Sequence, residues 1–286
     1  MTNEQWAFGG DLPINRIGYG TMRLTGWPRG DRPGRDTALT VLRRAVELGV
    51  NHLDTSYYYA RDGVSANELI RAALHPYPQD LVIVTKVGAL VEGDDIDLPA
   101  AERRGLTPDG LRRGVEANLR SLGVDRLDVV NLRIDDRGHD GAEYETALET
   151  LMSLRAEGLI RHLGISNVGR AHFDRARGLA DIVCVQNLYN IADRDDDPLI
   201  DACAEAGIAY VPFFPVGGGF RPLTAERLAE VADRHGTTAQ QVALAWLLAR
   251  SPNIAIIPGT GSPAHLEENL AAGRLQLTEK DLAELG

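Results

Sequence analysis

The strongest constraint in this 286-residue sequence is an alternation. Short runs of Val, Ile and Leu recur along nearly the whole chain, and most are followed by a longer stretch with apolar residues at helical spacing. The runs fall at residues 17–21, 51–54, 81–85, 127–132, 160–165, 182–186, 208–213 and 254–257. Most are continuously apolar, the pattern of strands buried on both faces of a parallel sheet. Between them, 37–48, 108–122, 143–157 and 238–249 read as amphipathic helices. In 108–122, Leu111, Val115, Leu119 and Leu122 share one face. Thr107-Pro108 supplies a cap and a first-turn proline, and Gly123 the stop; Gly49 and Gly158 end their helices in the same way.

Eight strand–helix units predict an α/β chain folded as a (β/α)8 TIM barrel, with residues 1–286 forming a single domain. A doubly wound open sheet is the alternative, but no GxGxxG follows its first strand. Ahead of that strand, residues 6–8 and 12–14 flank Gly9-Gly10 as an N-terminal β-hairpin, placed to plug the barrel floor. Two polar stretches, 87–107 and 217–223, follow the third and seventh strands, where barrel loops form substrate walls.

Charge narrows the partner. With 30 basic and 41 acidic side chains the net charge is −11, which opposes binding to nucleic acid or an anionic membrane. No run approaches the roughly 20 apolar residues of a membrane span. The opening MTNEQWAFGG lacks the features of a secretion signal, so a cytoplasmic location is expected. Cys184 and Cys203 suit a reducing compartment and read as core residues, and the seven histidines show no metal-ligand spacing. The acidic run 193–197 reads as a solvated helix start, and His52 as filling of the barrel interior. A small-molecule partner remains, and protein partners are unspecified.

Barrel strands carry chemistry at their C-terminal ends. Asp54, Lys86 and Arg133 end the second, third and fourth strands, each a charge emerging from an apolar run. Isolated buried charge is costly, so Asp54 and Lys86 on neighbouring strands should pair. Tyr59 stands five residues after Asp54 in DTSYYYA. A phenol with an ordinary pKa of about 10 is a sluggish proton donor at neutrality, and a nearby ammonium lowers it.

In this register the sequence resembles the aldo-keto reductases, and within them bacterial members similar to pyridoxal reductase. The family signature has Asp-Thr-Ala, two variable residues and Tyr, then Lys at the end of the next strand. The resemblance extends through IGYGTMRL (17–24), GISN (164–167), QNLYN (186–190), YVPFFPVGGG (210–219) and IPGTGSPAHLEENL (257–270). It implies reduction of an aldehyde or ketone with NADP(H), NADH being the alternative coenzyme. Tyr59 would be the proton donor, Lys86 its tuner and Asp54 the anchor. Arg133 stands where the family usually has histidine; a guanidinium can polarise a substrate oxygen and favours an anionic substrate. Its competing reading is a bridge to Asp135 and Asp136, and His139 cannot be placed from sequence.

The same resemblance implies coenzyme contacts from Gly20, Thr21 and Met22 after the first strand. Ser166, Asn167 and Gln186 would hold the carboxamide, and Phe213 would stack on the nicotinamide. Pro215 and Gly217 would border the pyrophosphate, with glycines 217–219 allowing close backbone approach. Gly259, Thr260, Ser262 and His265 would face the 2′-phosphate, although Gly259 and His265 occupy the usual lysine and arginine positions. Glu268 and Asn269 would meet the adenine. A coenzyme-binding regulatory protein without turnover and a Schiff-base lyase using Lys86 are the competing functions.

Overall fold

The computed structural model describes residues 5–27, 30–88, 105–134, 141–217 and 226–286. Two short strands, β1 (Gln5–Phe8) and β2 (Leu12–Asn15), form the expected antiparallel hairpin, with Phe8 opposite Leu12 and Trp6 opposite Ile14. Its three-residue turn, 9–11, uses Gly9 and Gly10 at φ +60° and +80°, left-handed values that glycine adopts without steric cost. Phe8, Leu12 and Ile14 are buried against Val82, Val84, Val129, Val183, Ala209 and Val211 inside the barrel. The hairpin is therefore a stopper, and Asp11 at its tip pins it by accepting from Arg161 and His162, each at 2.6 Å. His52 meets Phe8 edge-on at 5.3 Å, and burial pushes its pKa down to about 3, so it fills the interior as a neutral ring.

The barrel staves are β3 (Tyr19–Gly20), β4 (His52–Asp54), β7 (Val82–Gly88), β8 (Leu127–Arg133), β9 (Ile160–Ser166), β10 (Ile182–Gln186) and β11 (Ala209–Tyr210), parallel and adjacent in that order. A small antiparallel pair, β5 (Ala60–Arg61) and β6 (Val64–Ser65), interrupts the series after β4. The run expected as an eighth strand closes the ring through two parallel bridges, Tyr210 with Ile254 and Ile17 with Ile256. A buried side chain braces this closure. The buried Arg16 donates from Nε to the Ile254 carbonyl at 2.8 Å and from Nη2 to Leu248 and Ser251, each at 2.7 Å.

Helices cover the barrel: α1 (Arg35–Glu47), α2 (Ala66–Leu74), α3 (Pro108–Leu122), α4 (Gly141–Ala156), α5 (Arg170–Leu179), α6 (Asp197–Glu205), α7 (Glu226–His235), α8 (Ala239–Arg250), α9 (Pro263–Ala271) and α10 (Glu279–Leu285). The signals around α3 act as expected: Thr107 Oγ1 accepts from the Gly110 amide, and Gly123 turns left-handed at φ +72°.

The acidic run 193–197 is not simply solvated. Asp196 is buried, accepting from Asn187 Nδ2 at 2.5 Å and from the Tyr210 hydroxyl at 2.8 Å, while Asp197 accepts from Tyr189 and Arg250. These buried donors need an acceptor, and that demand outweighs the hydration of a carboxylate.

The last helix is tied down by charge. Thr278 and Asp281 form a reciprocal capping box, and Asp281 also accepts from Arg234 at 2.7 Å and His235 at 2.9 Å on α7. These donors hold its carboxyl below the usual carboxylate range. Because the folded-state pKa is depressed, the stabilisation is complete at neutral pH and is lost as pH falls. Asp281→Ala is expected to lower the melting temperature by about 2–4 °C at neutral pH. Thermal melts should show that deficit shrinking below about pH 4, where the unfolded carboxyl takes up its proton.

Candidate active site

The C-terminal ends of the staves surround a cavity of about 790 Å³. Asp54, Tyr59, Lys86 and Arg133 all line it, so residues spread over 80 positions of sequence converge there. Asp54 and Lys86 are brought together by the parallel pairing of β4 with β7. Lys86 Nζ donates to both carboxylate oxygens of Asp54, at 2.8 and 2.7 Å, and to the Thr55 carbonyl at 3.0 Å. Both side chains are almost fully buried. An ion pair this deep persists because each charge meets its complement and the remaining donor finds a carbonyl.

A layer of amides supports the pair from behind. Thr55 donates to Asn67, Asn67 and Thr85 donate to Asn118 Oδ1, and Asn118 Nδ2 returns to the Gly114 carbonyl, at 2.6 to 3.0 Å. Residues 55 and 85 follow and precede the charged pair, so α2 and α3 fix both strand ends.

Tyr59 is placed by the turn after β4, where its amide donates to the Ser56 carbonyl at 3.0 Å. Its ring lies between two groups. The Trp27 ring packs at 5.1 Å, and the Lys86 ammonium stands 4.9 Å from the ring centroid. The expected downward tuning of this phenol is not what the geometry delivers. Burial pushes the Tyr59 pKa above its ordinary value, and the Asp54 charge adds to that while Arg133 opposes it. The ammonium is neutralised by two-point contact with Asp54, so the pair offers the phenol little net positive charge.

Gln186 occupies an unexpected position. Its Nε2 donates to Asp54 Oδ1 at 2.7 Å, and its Oε1 accepts from Asn131 Nδ2 at 3.0 Å. Asn131 in turn accepts from the Cys184 thiol at 3.1 Å. The amide of Gln186 is therefore engaged at both ends, by Asp54 of the ion pair and by Asn131. Gly164 makes room for this chain: a Cβ there would collide with Asn131 Oδ1 and would stand 2.6 Å from Cys184 Sγ. Both cysteines are buried, as expected, and burial drives their thiols upward.

The other expected contacts divide by position. Gly20, Met22, Phe213, Pro215, Gly259, Thr260, Ser262 and His265 line the cavity. Thr21 does not; it is fully buried, and both its amide and its hydroxyl donate to the Asp54 carbonyl at 3.0 Å. Ser166 is also fully buried, and no described residue bonds its hydroxyl. Beside it, Asn167 adopts φ +60°, with Nδ2 donating to the Ile134 carbonyl at 2.8 Å. Gly217 sits at φ +78°, and Glu268 and Asn269 are half-buried on α9, outside the cavity lining. Ser262 caps α9 by accepting from the His265 amide. Residues 89–104 and 218–223 of the two polar loops, and Asp135, Asp136 and His139, lie outside the described residues.

Part of the cavity wall lies outside the motifs. Trp27, Asp31, Arg32 and Pro33 line it from the segment after β3, while Arg23, Tyr58, Phe214, Val216, Ile257 and Gly261, all within the motifs, complete it. The signal available in the sequence was position alone, because this segment follows a barrel strand. Among the described residues, no cluster of three or more His, Cys, Asp or Glu side chains is arranged to hold a metal ion. Nor is any helix there long and apolar enough to cross a membrane.

Comparison with known proteins agrees with this architecture. The aldo/keto reductase family model matches residues 16–286. Pyridoxine 4-dehydrogenase of Escherichia coli is 51% identical over 281 residues, covering 96% of this chain and 95% of that protein. Among solved structures, a thermostable aldo-keto reductase bound to the inhibitor epalrestat superposes with a TM-score of 0.81 at 31% identity, over 98% of this chain and 97% of that one. An aldo-keto reductase from Klebsiella pneumoniae in complex with NADPH also reaches 0.81, at 25% identity, over 100% and 94% of the two chains. A match that begins at the barrel's first strand and continues to the last residue leaves one assignment: the chain belongs to the aldo/keto reductase family.

Proposed function

We propose that the protein is an NADP(H)-dependent reductase that converts an aldehyde or ketone to an alcohol. The observation that supports this best is the meeting of Tyr59, the Lys86–Asp54 pair and Arg133 on the wall of one cavity that also carries Phe213 and the Gly259–Ser262 loop. The coenzyme fits the residues present. Ser166 offers a buried hydroxyl with no described partner, suited to a carboxamide, and Asn167 stands beside it. Phe213 presents an aromatic face, while Thr260, Ser262 and His265 offer polar groups at the start of α9 for phosphate. Gln186 serves the site by holding Asp54, since both ends of its amide are already engaged.

When bound, NADPH would supply the hydride. The residues of the chain supply the rest. The Tyr59 hydroxyl gives its proton to the carbonyl oxygen as negative charge develops there. Arg133 directs a permanently charged donor at the same oxygen and steadies that charge before the proton arrives. Lys86, held by Asp54, packs its ammonium against the Tyr59 ring and so positions the phenol, while Arg133, whose charge opposes the rise in the phenol's pKa, stabilises the phenolate left behind. A raised phenol pKa suits reduction, because the hydroxyl keeps its proton until an alkoxide, a far stronger base, appears.

The likeness to pyridoxine 4-dehydrogenase makes pyridoxal, the aldehyde matching that alcohol, the first substrate to examine. Its ring phenol ionises readily, and Arg133 provides a complementary charge. The deciding assay follows NADPH absorbance with pyridoxal and a panel of aldehydes and ketones. Carbonyl-dependent oxidation of NADPH is expected. Tight binding of NADPH without consumption by any of them would favour a regulatory role instead.

A further inference from the structure

The loop assigned above to the coenzyme's 2′-phosphate begins with Gly259, where relatives use a cationic lysine. Its geometry explains why no side chain stands there. A Cβ on Gly259 would lie 2.6 Å from the Gly20 carbonyl oxygen, and one on Gly20 would lie 2.6 Å from the Ile257 carbonyl oxygen. Two backbones thus touch where β3 meets the segment that closes the ring. Neither clash involves a flexible group that could move aside, so a lysine at 259 is incompatible with this closure.

The space above Gly259 is taken by Arg23. Its Cγ lies 3.7 Å from the position of that missing Cβ. The side chain then runs across the cavity wall toward Gly30, where Nη1 would stand 3.2 Å from a Cβ. Gly30 has φ +129°, a value that itself favours glycine, so the guanidinium rests against bare backbone. Arg23 lines the same cavity as Thr260, Ser262 and His265, and no described residue forms an ion pair or hydrogen bond with its guanidinium. The neighbouring Arg32 is already engaged, donating to the Arg61 carbonyl at 3.0 Å and standing 3.5 Å from Asp62. Arg61 holds the segment in place by donating to the Gly26 and Gly30 carbonyls, each at 3.1 Å. A half-buried cation with no described partner, held over a phosphate-type loop by a strapped wall, is prepared for an anion.

We propose that Arg23 supplies the cation for the coenzyme's 2′-phosphate, replacing from the opposite edge of the barrel closure the lysine that Gly259 cannot carry. This inference rests on the coenzyme reading above, and its test separates the two. Isothermal titration of NADP⁺, NAD⁺, adenosine 2′,5′-bisphosphate and 5′-AMP would be carried out on the native protein, Arg23→Met and Arg23→Lys. For Arg23→Met, affinity for NADP⁺ and the bisphosphate should fall by about 10- to 100-fold, with NAD⁺ and 5′-AMP changing less than about twofold. Arg23→Lys should restore most of the loss, since it retains the charge at similar reach. Unchanged NADP⁺ affinity in Arg23→Met would overturn the assignment. So would an equal fall for NADP⁺ and NAD⁺, which would place Arg23 at the pyrophosphate or in a purely structural role. Failure of the native protein to bind either dinucleotide would instead refute the coenzyme reading itself.

Discussion

Tyr59→Phe is expected to lower the turnover number for carbonyl reduction by about 10²- to 10⁴-fold while leaving NADP⁺ affinity within about twofold of the native value. The substitution removes one oxygen and leaves the ring that Trp27 packs against and Lys86 overlies, so the cavity wall survives. Stopped-flow measurement of hydride transfer alongside coenzyme titration separates the two effects. A variant that retained more than about a tenth of native turnover would assign the proton to another group. The native enzyme's pH profile adds an independent check. Burial and Asp54 raise the Tyr59 pKa, so protonated hydroxyl persists well into alkaline solution. Reduction should therefore show no falling limb due to this group between about pH 6 and 9. The reverse oxidation needs the phenolate and should rise through the same interval.

Asp54→Asn carries the second large effect. It leaves the Lys86 ammonium buried with carbonyl and amide partners and no countercharge, and removing one member of such a pair costs about 3–5 kcal/mol. Urea unfolding should register that loss, and turnover should fall with it because Lys86 is no longer held over the Tyr59 ring. Stability alone would not identify a role in catalysis. The double variant Asp54→Leu with Lys86→Met removes both charges, and apolar replacement of a buried pair is often close to neutral for stability. It should recover most of the lost unfolding free energy and remain inactive. Recovery of activity with the stability would make the pair purely architectural.

Much of this architecture is readable in the sequence itself. The continuous apolar runs announced buried parallel strands, and Gly9-Gly10 between two alternating segments announced the hairpin. Asp54 and Lys86 could be read because each is a charge at the C-terminal part of an apolar strand, whereas Tyr59, in the turn beyond β4, could be singled out only by the five-residue offset of the family signature. What escaped depends on contacts between distant strands. The join of Asn131 to Gln186 requires the register of β8, β9 and β10 and the absence of a side chain at Gly164, none of which a local pattern encodes. Arg23 meets Gly259 only because the ring closes, so more than 200 positions separate the two partners. The run at 193–197 misled for a related reason. Carboxylates in series normally seek water, but Tyr210 and Asn187 approach Asp196 from the other side of the chain and change the balance. The phenol's tuning does not follow from the Lys86 ammonium, because burial of the ring and the Asp54 charge both act in the opposite direction.

The hairpin at the bottom of the barrel has a kinetic consequence. With Phe8, Leu12 and Ile14 corking one end, the reaction chamber is blind-ended, and all molecular traffic must use the opposite mouth. A bulky dinucleotide and a smaller carbonyl that share such a vessel have to queue. Whichever lies deeper must enter first and depart last.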